Sequence, residues 1–502
     1  MVTGFSSNCR AALVRATCGL GKIQLHQCTE GLGLTEKPPR YVTGRNVGSK
    51  RFGCALADGQ AAPQGGVAMT NAVHALPDNS RRQFLKATTF GVAGAALGVR
   101  PGVAAPKTMS IMHENSFIKT YDEYFQKTLI PAYEQLTGVK IKYELVSVGG
   151  LQTRVTTVAE TGSGPDMTLN FFNWPFLYEE KYVDVGDVAE EVGKKSGGWH
   201  DAAKEAVIVN GKWKAIPFGN VGQLMNWRTD WFKEAGYDKF PDTWDELLEA
   251  GIKLNAKGHP FGFELGHGFG DNHGWLYPLL WSYGGREVEP DGKTVVIDSA
   301  ETARAVDFAR TFFQKTMLED VLGWTDPNNN KAYLSGQISC TNNAESILWA
   351  AKRDFPEIAK ATDQSLNPKG PGGQRFHILA PWSHSIFSHT PDQQAAKDFL
   401  RWLMEPAQVG GWYASADSYY APFLHAFDDA PLWHVEPRNI PYRESLATSH
   451  LPGWPAPISR ASSESVAKYV VVDMFAKACA GKSTKEVIAD ANTQLKQIYR
   501  PA

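Results

Sequence analysis

Cysteine is scarce in the body of this chain. Of six cysteines in 502 residues, Cys9, Cys18, Cys28 and Cys54 all precede residue 80. Cys340 and Cys479 remain, at no metal-ligand spacing. A pair so far apart leaves bridging open, and two buried thiols are the expectation. Net charge is lacking as well: 51 basic and 53 acidic residues leave −2 at pH 7. No basic excess exists to neutralise phosphates, which argues against nucleic acid as a partner. Catalytic signatures are missing too. The chain has no G-x-S-x-G, no P-loop and no His-Glu-x-x-His, so no cofactor, metal or catalytic set is expected.

Tryptophan, by contrast, is plentiful at fifteen. Core and interface filling accounts for most of them. The sharper reading is a ligand whose apolar faces stack on indoles, as sugar rings do.

Residues 1–79 show no clear hydrophobic period and carry scattered Gly, Pro and Cys, with AAPQGG just before Met69. They read as disordered, or as sequence upstream of a true start at Met69. Residues 80–105 read as a signal peptide. Arg81-Arg82-Gln83-Phe84-Leu85-Lys86 precedes an apolar stretch from Ala87 to Val99, then small residues to Pro106. That stretch is too short and too rich in Gly and Ala for a membrane span. The twin arginine matches the Tat export signal. Cleavage is expected after Ala104 or Ala105, with no lipobox cysteine.

The remainder alternates strand and helix. Strands are expected over Thr108 to His113, Val139 to Val146 and Met167 to Phe171, with helices between. That order begins an α/β sheet covered on both faces. Gly162-Ser-Gly-Pro165-Asp166 reads as a plain turn. The stretch Val209 to Gly251 then reads as a short hairpin turning at Gly211-Lys212, an extended apolar crossing, and two helices. Thr243 caps the second, with Glu246 three residues on. Further on, Lys293 to Ile297 and Gln337 to Cys340 are read as strands and Ser299 to Leu318 as a helix.

The ordered motifs Ile216-Pro217, Trp227-Arg228, Asp230-Trp231-Phe232 and Pro241-Asp242-Thr243-Trp244-Asp245-Glu246 carry a resemblance. So do Gly336 to Cys340, the helix pair Asp392 to Tyr413, Tyr420-Ala-Pro-Phe423 and the closing helix from Ser483. Together they resemble the extracellular solute-binding proteins of family 1, the maltose-binding-protein-like sugar-binding components of ABC importers. Arg228 departs from the family's usual Asn. The resemblance spans about Thr108 to Ala502. It implies an α/β, two-lobed periplasmic binding protein-like (type II) fold with three interlobe crossings. One lobe would take residues 106–218 plus 376–424, the other 219–375 plus 425–502. It also implies a periplasmic monomer that delivers a solute to membrane permease subunits.

In such a fold the ligand sits in the cleft, at loop ends. The resemblance points to His113 and Glu114, Asn173 and Trp174, and Trp275, Tyr277 and Trp281. It also points to Asn342, Asn343 and Glu345, and to Tyr419 and Tyr420. Core packing is the alternative for each aromatic, and turn or cap use for each Asn. These residues include few cations and few acids, so a neutral sugar or polyol is expected over glycerol phosphate or a polyamine. Glu114 with Glu345 can be drawn as a glycosidase pair, making a secreted carbohydrate-active enzyme the rival class. His267, Asp271 and His273, or His384 and His389, can be drawn as metal ligands. Their Gly-, Ser- and Asn-rich surroundings favour loop histidines.

Overall fold

The computed structural model describes residues 107–500 apart from Ser418. The leader and the segment before it lie outside them. Thirteen strands occur in chain order among the described residues. They are β1 (Thr108–Glu114), β2 (Lys140–Val146), β3 (Met167–Phe171), β4 (Ile208–Val209), β5 (Lys212–Trp213), β6 (Ile216–Asn220), β7 (Leu224–Arg228) and β8 (Cys340–Asn343), then β9 (Thr362–Ser365), β10 (His377–Ile378), β11 (Pro381–Ile386), β12 (Ala421–Pro422) and β13 (Ser449–His450). The first sheet has the order β12-β6-β11-β3-β1-β2, and a second runs β8-β7-β9. Each is the floor of one lobe.

The first sheet is mixed. β2, β1 and β3 run parallel, as strand–helix–strand units require, while β11 lies antiparallel to both its neighbours, β3 and β6. Pro217 cannot donate to a ladder, and the β6–β11 register slips beside it, between Trp382 and Ser383. Gly219 has no room for a side chain: a Cβ there would lie 3.0 Å from the Ala421 carbonyl oxygen. This close approach lets β12 pair with β6 at Ala421 and Asn220.

The chain passes between the sheets three times, and Asn220 ties the passages together. The first leaves β6 at Asn220 for β7. The second brings the chain back from β10 into β11. Here the Ala380 N–H donates to Asn220 Oδ1 (2.7 Å) and the Val221 N–H to the Ala380 carbonyl (3.0 Å). The third leaves β12, itself paired to Asn220. The strand that joins the first sheet on return starts at Pro381 rather than near Phe376. β10 before it pairs instead with β13.

Local chemistry explains most elements. Asn210 (φ 51°) and Gly211 (φ 74°) make the left-handed turn of the β4–β5 hairpin. Thr243 accepts from the Glu246 N–H, and Glu246 reaches back to the Thr243 N–H, before helix Trp244–Ala256. Such a cap contributes about 1 kcal/mol. The helical run from Lys119 is a single expected helix that breaks into a π-turn, Phe125–Leu129, before Ile130–Thr137. Pro131, which lacks an N–H, lies in the first turn of the last segment. Asp166 does more than turn the chain. Its Oδ2 accepts from the Ser110 N–H (2.7 Å) and hydroxyl (2.6 Å), clamping β1 to the entry of β3.

Two strand expectations fail. Lys293 to Ile297 pairs only briefly with Glu287 to Glu289, through the Val288–Val295 bridge and two backbone hydrogen bonds, too short a match to make a strand. The strand expected over Gln337 to Cys340 lies instead at Cys340–Asn343. The residues before it close the preceding helix, with the Gln337 N–H donating to the Ala332 carbonyl. Cys340 and Cys479 are buried and free. Among the described residues no helix is long and apolar enough to cross a membrane.

Candidate functional site

The lobes meet on an aromatic seam. Phe269 of the second lobe stacks on Phe171 at the end of β3, with centroids 4.5 Å apart and planes at 20°. Its ring meets Trp174 edge-on at 5.5 Å and lies 5.8 Å from Trp382 of β11. Phe172 meets His273 edge-on at 5.6 Å. Polar contacts cross beside the seam. The Ser463 hydroxyl donates to the Asn173 carbonyl (3.2 Å), and Arg460 to the Leu177 carbonyl (3.1 Å). Lys352 pairs with Asp417 at 2.6 Å.

A cavity of about 590 Å³ opens at this junction. Ser147, Gln152 and Thr153 line it from the first lobe, and His267, Phe269, Asp326 and Tyr469 from the second. A hollow of about 630 Å³ beside Trp227 and Pro241 is lined from the second lobe alone.

The loop that carries Phe269 is held from behind. Asn272 donates to the Gly266 and Gly268 carbonyls (2.7 and 3.2 Å). Asp326 accepts the N–H groups of Phe269, Gly270 and Asp271. A Cβ on Gly266 would collide with the Trp324 carbonyl, and one on Gly268 with the Glu264 carboxylate. Only a glycine backbone threads this path.

Carboxylates collect under the loop. Glu264, Asp271 and Asp326 are buried, and each can present one oxygen within 4.8 Å of the others. Both oxygens of Glu264 lack a hydrogen-bond partner. Burial pushes the Glu264 and Asp271 carboxyls well above their ordinary range, and the Asp326 charge adds to this. Asp326 is raised by burial in spite of its N–H donors. Across the cleft, burial lifts Glu114 well above its range, helped by Asp122.

The residues expected from the sequence divide between the seam and the lobe interiors. Glu114 ends β1 with Oε1 accepting from the Tyr420 hydroxyl (3.2 Å) and Oε2 unpartnered. Asn173 is buried with both side-chain polar atoms unpartnered, and Trp174 faces Phe269. Tyr419 lies against Tyr420 at 5.0 Å. Its hydroxyl feels the charges of Glu114 from one lobe and Asp271, Asp326 and Glu345 from the other.

His113 points the other way, into the first lobe. It lies among Phe125 (4.6 Å), Tyr143 (5.3 Å) and His384 (5.1 Å), and burial holds it neutral. Trp275 is a core residue of the second lobe, packed on Phe263, with its indole N–H on the Glu264 carbonyl (2.7 Å). Tyr277 lies inside the same lobe, 5.5 Å from Trp281, which itself packs on Trp454. Helix Asp271–Ser282 is buried on every side, so residues two and four places apart cannot all face the cleft.

Asn342 donates to Asn367 (3.0 Å) while its Oδ1 stays unpartnered. Asn343 is spent on structure, donating to Asp271 (2.9 Å), Asn329 (2.9 Å) and Asn330 (2.6 Å). Glu345 is buried 3.6 Å from Lys352. His267 pairs with Asp473 at 2.6 Å and stacks on Tyr469 at 4.3 Å. His384 is buried beside Phe218, its ring held neutral with a value lowered to about 3.

Phe171, Phe172, Phe269, Trp382 and Tyr469, with Glu264 and Asp326, were not among the expected residues. The GHGFG loop held the signal for Phe269: an aromatic beside glycines, two of which, Gly266 and Gly268, have no room for a side chain.

A family model described as bacterial extracellular solute-binding protein matches residues 128–439. The chain belongs to that family, a class of exported proteins that bind solutes. Among relatives, one from Sinorhizobium fredii is named "probable amino-acid ABC transporter periplasmic-binding protein". It is 24% identical over 293 residues, 55% of this chain and 64% of that one. The erythritol/L-threitol-binding protein of Mycolicibacterium smegmatis is 22% identical over 330 residues, 59% of this chain and 67% of that one. The matched region thus spans about two thirds of each relative. In structure, maltose-bound T. maritima MalE3 superposes with a TM-score of 0.68 at 22% identity, covering 78% of this chain and 99% of that one. This likeness establishes the two-lobed α/β fold.

Proposed function

We propose that this chain is the substrate-binding component of an ABC importer. It takes a sugar or polyol into the interlobe cleft as a monomer and presents it to the permease subunits in the membrane. The observation that carries this reading is the seam itself. A sugar offers an apolar C–H face and a ring of hydroxyls. Phe171, Trp174, Phe269 and Trp382 offer flat faces, while Asn173 and the carboxylates of Glu114 and Asp326 offer hydrogen-bonding groups. The relatives named for maltose and for erythritol and threitol support the same solute class. The binding role itself, without turnover, is the family's; glycan hydrolysis by the purified protein would overturn it. The twin-arginine run at residues 81–82 supports a periplasmic location reached by the Tat route.

One observation favours a second ligand. Folding brings Glu264, Asp271 and Asp326 together under the Phe269 loop, and Asp326 lines the cavity beside Phe269. Acids with aromatics suit a protonated amine. A thermal-shift screen separates the two readings, since a ligand of the folded state raises its melting point. Maltose, erythritol and threitol should raise it if the first reading holds. Response to spermidine alone would replace the polyol by an amine.

A further inference from the structure

Outside the cleft, two histidines and an aspartate converge from segments far apart in sequence. His200 Nε2 lies 2.7 Å from Asp428 Oδ1, and His425 Nδ1 lies 2.9 Å from Asp428 Oδ2. The two imidazole rings are 4.1 Å apart, and one donor atom from each of the three residues falls within 4.8 Å of the others. We propose that His200, His425 and Asp428 form a binding site for a borderline divalent transition metal, with Zn²⁺ as the reference ion.

The ligand types suit it. Two neutral imidazole nitrogens and one carboxylate oxygen are a common protein set for zinc, leaving a fourth position to water. Ligands about 2.0–2.1 Å from a tetrahedral ion stand about 3.3 Å from one another. The spread observed needs only small side-chain rotations to reach that distance. The carboxylate now bridges one nitrogen of each ring, and an ion would replace these two hydrogen bonds.

The backbone holds the set in place before any ion arrives. Trp199 pairs antiparallel with Leu424. The His200 N–H donates to the Phe423 carbonyl (3.0 Å) and the His425 N–H to the Gly198 carbonyl (3.1 Å). Gly197 and Gly198 take φ of 79° and 105°, which lets the loop lie against His425. Asp428 follows His425 by one tight turn, its N–H on the His425 carbonyl (3.1 Å). Preorganisation of this kind limits what must be ordered on binding. The three side chains are between 30% and 45% exposed, and a cavity of about 570 Å³ lined by Asp201, Trp213 and both histidines gives access. His425 follows β12, the strand at the third passage between lobes. A bound ion would therefore fasten the end of that passage to the first lobe.

The test is calorimetric titration of Zn²⁺ into the tag-free, chelator-treated protein, with Co²⁺ absorption as a second readout. One ion per chain at micromolar affinity or tighter is expected, with Co²⁺ giving the intense visible bands of low-coordinate cobalt. His200→Gln and His425→Gln should each weaken binding at least tenfold and remove those bands. Asp428→Asn should weaken it less, since the amide oxygen still coordinates. Metal-free variants should melt near the parent temperature. Affinity no better than millimolar, a pale hexa-aquo Co²⁺ spectrum in the parent protein, or undiminished binding in both histidine variants would overturn the proposal.

Discussion

Removing the Phe269 ring should open the cleft without unfolding either lobe. The side chain is half-buried and meets the first lobe through three rings. Two of these contacts have favourable geometry: the stack on Phe171 and the edge on Trp174. Aromatic pairs contribute about 0.5–1.5 kcal/mol each, so Phe269→Ala should remove roughly 1–3 kcal/mol from the closed arrangement. If closure and ligand binding are linked, that loss appears as affinity, about 5- to 150-fold weaker. Calorimetry of parent and variant with a ligand found in the screen measures it. Phe269→Leu, which keeps apolar bulk and loses the stack, should fall between. The unliganded melting temperature should change little, because each lobe keeps its own core. Unchanged affinity would refute the role of the seam. An equal loss of unliganded stability would instead show that Phe269 serves the fold.

Asn220→Ala should cost about 1–3 kcal/mol in urea unfolding, because it strands the buried Ala380 N–H where the three passages meet. Gly266→Ala should lower the melting temperature and ligand affinity together, since the Cβ would meet backbone rather than a side chain that can move aside. Asp122 and Glu287 are each raised to about 7 by burial. The folded state therefore holds their protons between the ordinary carboxyl range and neutrality. Their contribution is full at low pH and is lost as pH rises through about 7, by up to about 4 kcal/mol for Asp122. Asp122→Asn with Glu287→Gln should flatten the pH dependence of the melting temperature across that window. For export, Arg81→Lys with Arg82→Lys keeps the charge and loses the guanidinium pair. Cell fractionation should find that variant in the cytoplasm, and normal periplasmic levels would remove the Tat reading. Deleting residues 1–68 should leave export intact.

Local signals in the chain announced the fold well and the site unevenly. The Thr243 cap is read from neighbours in sequence and stands as expected, and the hairpin stands too, with its turn one residue earlier than Gly211-Lys212, at Asn210-Gly211. Glu114 ends β1, and Asn173 and Trp174 follow β3, which is why these expected residues lie beside the seam. Trp275, Tyr277 and Trp281 misled because helix Asp271–Ser282 is apolar on all faces. Periodicity then cannot say which side meets the other lobe. His113 misled through strand alternation: its neighbour Glu114 takes the cleft side, and the imidazole turns into the lobe. Phe269 and Trp382 are 113 positions apart, and the carboxylates of Glu264 and Asp326 are 62 apart, by their numbering. Nothing local marks such pairs; only the folded chain brings them together.

Hinge closure on a solute is the claim on which the functional account rests. Small-angle scattering of the protein with and without a ligand already confirmed by calorimetry measures it directly. The account predicts a smaller radius of gyration on saturation, with Phe269→Ala needing more ligand to reach it. An unchanged radius across several confirmed ligands would contradict it, leaving a rigid two-lobed protein that binds without closing.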